Sequence, residues 1–282
     1  MGAAGVKVVL KHFQELLGFN STEALLAVTT PAFDISVLEL LLPLVSGACL
    51  VLAPTAATRN GAALASLLWG GTSPSFAAAT PADSSVGTEA TVNYECDTNG
   101  SLPRITAMQA TPATWRMVIH AGWTGNQAVR VLCGGEAFPS ALLPLVSNCR
   151  SVHNLYGPTE ATIWCTSHHV NSPSECLTTF GSRGVSIGLP LDYSGCHCAV
   201  VDLASGSHEV EDGEEGELWV SGPALALGYL GDTFAALTQE RFVARKFAQE
   251  TTRWYKTGDV VVKGPDMNLY FVRRVNDEQV NA

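Results

Sequence analysis

LLAVTTPAFDISVLELLLPLVSGACLVLA, residues 25–53, decides the architecture. Leu25 to Thr30 is a short apolar run, too brief for a buried helix and bounded by Pro31, so it reads as a strand. Ser36, with Glu39 three residues on, has the spacing of a capping box that opens a helix. Apolar residues carry that helix to about Val45, and Gly47 suits its C-terminal cap. Ala48 to Ala53 is a second buried strand. Strand, helix and strand in this order imply a parallel, doubly wound sheet.

The same grammar returns downstream. Val129–Cys133 reads as a strand followed by a glycine turn, Pro139 to Cys149 as a helix, and Ser151 to Tyr156 as the next strand. Residues 70–102, rich in Gly, Ser, Thr, Ala and Pro without periodicity, read as an exposed, flexible insertion. From about residue 184 the pattern changes to strands and turns. Cys196 to Leu203, Gly216 to Gly222 and Thr257 to Val275 look like hairpin material, with a turn at Lys263-Gly-Pro-Asp266. The expected division is an α/β core over 1–183, a small β-barrel-like subdomain of the same core over 184–272, and the start of a hinge over 273–282.

Composition excludes several functions. In 282 residues, 46% are apolar and 15% charged, which fits a globular chain. The formal charge is −10 and no basic run occurs, so no nucleic-acid partner is expected. The longest apolar stretch, Val37 to Ala53, is broken by Glu39, Pro43 and Gly47, so no membrane span is expected and the cytoplasm is the default location. The eight cysteines lack paired metal-ligand spacing. Apolar surroundings of Cys49, Cys133 and Cys165 point to buried thiols. Cys196 and Cys198 fall on one face of a strand, with His197 on the other.

NLYGPTEATIW (154–164) is the segment richest in chemistry. A buried strand ends at Tyr156, and Gly157 and Pro158 then turn the chain to present Thr159 and Glu160. In an open α/β sheet, ligands bind beyond the carboxyl ends of the strands, where this loop lies. An aromatic ring, a hydroxyl and a carboxylate there suit a purine, a phosphate and Mg²⁺.

With AFDISVLELLLPLVSGACLVLAP (32–54), VLCGGEAFP (131–139), GELWVSGPALALGYL (216–230), WYKTGDVV (254–261) and the phrase MQATPATW (108–115), this segment resembles the adenylation domains of nonribosomal peptide synthetases, in the order those domains show. The resemblance implies an adenylate-forming enzyme that uses ATP and Mg²⁺ to convert an amino acid to aminoacyl-AMP. It would then load the product onto the phosphopantetheine thiol of a peptidyl carrier domain, with a condensation domain alongside. It implies Tyr156 as the adenine-stacking ring, with Gly135, Glu136, Ala137 and Gly157 around the base and Asn154 as an adenine contact. Thr159 would meet the α-phosphate, Glu160 would hold Mg²⁺, Asp259 would bind both ribose hydroxyls, and Arg274 matches the family's arginine. Asp34 would pair with the substrate ammonium.

The remaining lining residues would be Ile35, Leu38, Gln109, Leu132, Gly134, Leu155, Ile163 and Trp164. This crowded set resembles that of glycine-activating domains, with alanine second. The family's phosphate loop would precede residue 5, and its lysine-bearing C-terminal subdomain would follow residue 282. The 282 residues alone are therefore expected to bind nucleotide weakly, with almost no pyrophosphate exchange. Arg273 stands where the family has glycine, Asn276 and Asp277 compete as the hinge, and Leu227 replaces an arginine. Two alternatives are a non-catalytic remnant and an acyl-CoA or aryl-acid ligase. Asp34 argues against the latter, since such acids carry no α-ammonium.

Overall fold

The computed structural model describes residues 2–70, 103–174, 184–191, 196–246 and 252–276. The proposed insertion lies outside them apart from Gly70, as does the segment after Asn276.

The strand-helix-strand reading of residues 25–53 is observed. After α1 (Ala3–Leu17), β1 (Ala24–Ala27) leads into α2 (Ser36–Ser46) and then β2 (Cys49–Leu52), which pairs parallel with β1. Gly47 ends α2 at φ 65°. The capping box is not formed. Ser36 lies inside the helix and donates from Oγ to Phe33 O at 2.7 Å, while Glu39 turns inward to β1. Cys49 also departs from expectation and is exposed, because β2 is the edge strand; Cys133 and Cys165 are buried.

The first sheet continues through α3 (Thr55–Thr58), α4 (Gly61–Leu68), β3 (Ala107–Ala110), α5 (Pro112–His120), β4 (Arg130–Gly134), β5 (Ser151–Tyr156), β6 (Thr166–His169) and β7 (Leu189–Pro190). Its spatial order is β2-β1-β3-β4-β5-β6-β7, parallel through β5 and antiparallel thereafter. Residues 140–147, expected as an α-helix, form a 3-10 helix, consistent with Pro144 lacking the N–H that an α-helical ladder needs there.

Alternation along the strands sorts side chains to two layers. Leu25, Ala27, Ala107, Leu132 and Leu155 face α1 and α2, packing with Phe13, Leu38, Leu42 and Trp164. Leu26, Met108, Val131, Cys133 and Val152 face α4 and α5, packing with Leu64, Leu68, Trp115 and Val118. A buried ion pair binds the amino ends of these strands. Arg130 donates to both oxygens of Glu23, at 2.8 and 2.9 Å, and Arg150 adds a contact at 3.0 Å.

The second sheet is antiparallel. It contains β8 (His197–Val201), β9 (Glu215–Ser221), β10 (Phe242–Arg245), β11 (Thr252–Lys263) and β12 (Leu269–Arg274), with α6 (Ala235–Arg241) leading into β10. Val200, Leu218, Val220, Val261 and Leu269 close over Ala161, Cys165 and Ile187 of the first unit. His197 is exposed while Cys198 packs toward that cluster. The described residues include no group of His, Cys, Asp and Glu able to hold a metal, and no helix long and apolar enough to cross a membrane.

Candidate nucleotide and amino-acid site

Two glycines shape the carboxyl ends of β4 and β5. A Cβ on Gly157 would sit 2.3 Å from Ile163 O, so only glycine lets the chain double back after Tyr156. The return passes through Thr162 and Ile163, both at positive φ (59° and 75°), and Trp164 N donates to Thr162 O at 3.0 Å. That is a γ-turn centred on a β-branched residue, a strained arrangement that the packing has to hold. It delivers the indole of Trp164 beneath Gly134, where an added Cβ would fall 2.5 Å from the ring.

On one side of these strand ends lies a cavity of about 460 Å³ between the two sheets. Its lining includes Gly135, Glu136, Ala137, Asn154, Tyr156, Gly157, Thr159, Glu160, Asp259 and Arg274, so every residue named for the nucleotide borders one space. Asn154 is buried and donates from Nδ2 to Ser186 O at 2.7 Å, which leaves its amide oxygen as an acceptor. Asp259 is buried as well. It accepts from the Tyr156 hydroxyl at 2.6 Å on one oxygen and from Arg274 Nη1 at 2.6 Å on the other. Burial, together with the Asp259 carboxylate, pushes the Tyr156 phenol well above its ordinary pKa, so it stays a donor. The sequence reading starts the strand at Thr257, two residues before Asp259, but β11 begins at Thr252 and Asp259 sits inside it, where pairing with β9 slips between Lys256 and Val260. Such an irregularity re-aims a side chain.

Glu160 Oε1 accepts from the Tyr229 hydroxyl at 2.6 Å. The carboxylate lines the cavity, which fits Mg²⁺, an ion commonly held by one or two carboxylates together with phosphate oxygens and water. Thr159 Oγ1 donates to Asp34 Oδ2 at 2.5 Å, joining the loop after β5 to the start of α2.

The other side is filled. Leu38, Gln109, Leu132, Leu155, Ile163 and Trp164 are each 2% exposed or less, and Ile35 packs against them. Gln109 Nε2 donates to Ile35 O at 2.7 Å and to Glu39 Oε1 at 3.0 Å, and its Oε1 accepts from Trp164 Nε1 at 2.9 Å. All nine residues read from the sequence as amino-acid-lining lie in or at the edge of this packed region, with Asp34 half-buried at its rim. The sequence reading missed Tyr229, Phe138, Ile187, Tyr255, Thr257 and Phe271 around the cavity. Tyr229, Tyr255 and Thr257 lie within quoted motif blocks but carry no local mark of their role. The sequence reading also missed the inward role of Glu39.

Residues 103–230 match the family described as AMP-binding enzyme. The chain is 35% identical over 271 residues to a dimodular nonribosomal peptide synthase of Bacillus subtilis (strain 168), covering 95% of this chain and 10% of that one. It is 30% identical to a PKS-NRPS hybrid synthetase of Aspergillus candidus, covering 94% and 9%. The chain thus spans about a tenth of the length of these relatives. Among solved structures, it superposes on a four-domain nonribosomal peptide synthetase bound to AMP and glycine with TM-score 0.74 and 29% identity, covering 96% of this chain and 17% of that one. A Vibrio cholerae adenylation domain in complex with glycyl-adenosine-5'-phosphate shares the fold at TM-score 0.69 and 21% identity, covering 96% and 44%. The chain belongs to the AMP-binding enzymes. Within them it is an adenylation-domain sequence of the nonribosomal peptide synthetase kind.

Proposed function

We propose that this chain carries the nucleotide and amino-acid sites of a glycine-activating adenylation unit. In the reaction a carboxylate oxygen of glycine attacks the α-phosphorus of ATP. The bond from that phosphorus to the bridging oxygen breaks, and pyrophosphate leaves with the oxygen. The protein supplies position and charge, with no covalent nucleophile.

The observation that carries the glycine reading is the packed region beside Asp34. The indole of Trp164 lies against Gly134 and is tied to Gln109, packing that suits a substrate without a side chain. The synthetase solved with AMP and glycine lends support from a relative. On the nucleotide side, the ring of Tyr156 and the Gly135-Glu136-Ala137 wall would enclose adenine, and the free oxygen of Asn154 would accept from its amino group. Asp259 would bind the ribose hydroxyls, with Arg274 holding its carboxylate in place. Glu160 would hold Mg²⁺ against the phosphates, and Thr159 the α-phosphate. Because Thr159 touches Asp34, an ammonium on Asp34 would lie within a residue's reach of that phosphate. Carrier and condensation domains are the proposed neighbours, reading on from the multidomain relatives.

The test is calorimetric binding of 5'-O-sulfamoyladenosine carrying glycyl, alanyl, leucyl or phenylalanyl groups. The glycyl compound should bind tightest, the alanyl compound second, and the larger two not measurably. Preference for leucyl or phenylalanyl would overturn the assignment.

A further inference from the structure

Glu39 has no assigned role, yet its carboxylate is completely buried in α2. Oε2 accepts from Val28 N at 2.7 Å and Thr29 N at 2.9 Å, just beyond β1, and Oε1 accepts from Gln109 Nε2 at 3.0 Å. Burial raises its pKa, opposed first by the Thr29 side chain and then by these N–H donors.

The chain of bonds has a fixed polarity. A carboxylate only accepts, so the amide nitrogen of Gln109 must face Glu39. The amide oxygen must then face Trp164, whose indole N–H can only donate. Ile35 O takes the second amide hydrogen, so Gln109 cannot turn over without losing all three contacts. At the far end of this chain is the ring that occupies the space under Gly134.

We propose that Glu39 is a positioning residue for substrate selectivity: acting through Gln109, it pins the Trp164 indole against Gly134 and so favours glycine over amino acids with a side chain. It touches neither the nucleotide nor the amino acid. The proposal rests on the glycine reading above and extends it to a residue outside the pocket.

Glu39→Gln tests it with little change in volume. If the new amide keeps its oxygen on Val28 and Thr29, its NH₂ faces the NH₂ of Gln109. Relief requires Gln109 to turn over, which sets an amide N–H against the indole N–H and releases the ring. Trp164→Phe breaks the same link from the other end by removing the N–H while keeping a ring.

Affinities of the full chain for glycyl- and alanyl-sulfamoyladenosine, and for AMP, are measured by calorimetry. One methylene commonly gives discrimination of about tenfold or more, and in Glu39→Gln the glycyl preference should fall by about fivefold with AMP affinity unchanged. Trp164→Phe should shift the ratio the same way, and the double variant no further than the larger single effect. A glycyl preference in the unmutated chain that persists in folded, AMP-binding Glu39→Gln overturns the role of Glu39. If Glu39→Gln does not fold, an unaltered ratio in Trp164→Phe overturns it instead. Absence of a glycyl preference in the unmutated chain defeats the substrate reading, and this proposal with it.

Discussion

Leu155 and Tyr156 are consecutive residues of one strand and both border the cavity, yet their side chains serve opposite kinds of site. Leu155 packs into a dense apolar layer with Leu38 and Trp164, while the hydroxyl of Tyr156 reaches the buried carboxylate of Asp259 beside an open cavity. Gly134 and Gly135 repeat the contrast one strand over, the first packed on an indole and the second lining the cavity. The period of two along a strand lets one strand end serve a site that works by leaving space and a site that works by filling it. Binding a large, polar nucleotide needs preformed volume and unspent acceptors. Rejecting every side chain larger than hydrogen needs the reverse.

The sharpest way to break this contrast is Trp164→Ala. On the filled side it should cost roughly 3–5 kcal/mol of stability, the range for removing a large buried aromatic ring. The cavity should tighten binding of the alanyl compound and admit a valyl one, with about 0.8 kcal/mol recovered per buried methylene. Denaturant unfolding and the sulfamoyladenosine series read both effects. A loss below about 1 kcal/mol would mean that the ring closes nothing.

Glu23→Gln should act on stability alone, because Glu23 clamps the strand ends opposite both sites. Its carboxyl is held down to about 2, first by its bond to Arg130 and against a burial penalty. A lowered folded-state pKa means that this contribution is present above the unfolded value of 4.5 and is lost as pH falls toward about 2. Breaking the buried pair should cost about 3 kcal/mol at neutral pH. The variant's stability should also vary less with pH across that acid window. Melting curves at stepped pH test this, and an equally steep acid loss in the variant would show that Glu23 is not the titrating group.

On the open side, Asp259→Ala should weaken AMP by roughly 2–3 kcal/mol, by removing the charged acceptor proposed for two ribose hydroxyls. Calorimetry giving unchanged affinity would put the ribose elsewhere. Tyr156→Phe should be the mildest, below about 1 kcal/mol in AMP affinity, because the ring remains and only a neutral donor to Asp259 is lost. A larger loss would mean that the hydroxyl, rather than the face of the ring, meets the nucleotide.

Local pattern carried most of the fold into view. Leu25–Thr30, Gly47 and Ser151–Tyr156 announce their elements through apolar runs and punctuation, and neighbouring strands pair as such units require. The resemblance also named residues that converge on one cavity, although Gly135 and Arg274 lie 139 positions apart in the chain. What stayed hidden depended on long-range partners or on where an element sits. Ser36 and Glu39 have capping-box spacing, but nothing local reveals that the carboxylate is wanted by β1 and Gln109. Cys49 is as apolar in context as Cys133, and only the edge position of β2 separates their burial. The displacement of Asp259 within β11 comes from a slip against β9 that its own residues do not signal.

The closure under Gly134 also constrains the order in which this protein could acquire a new substrate. A side chain added at Gly134 would meet Leu155 O at 2.5 Å, a backbone atom of the adjoining strand, as well as the indole. The strand cannot yield, so a larger residue there is blocked whether or not Trp164 is still present. On the proposed glycine reading, any mutational route toward a bulkier amino acid must therefore begin on the loop, at Trp164, and leave the glycine as it is. Of the two partners in the contact, one is free to drift and the other is held by the sheet.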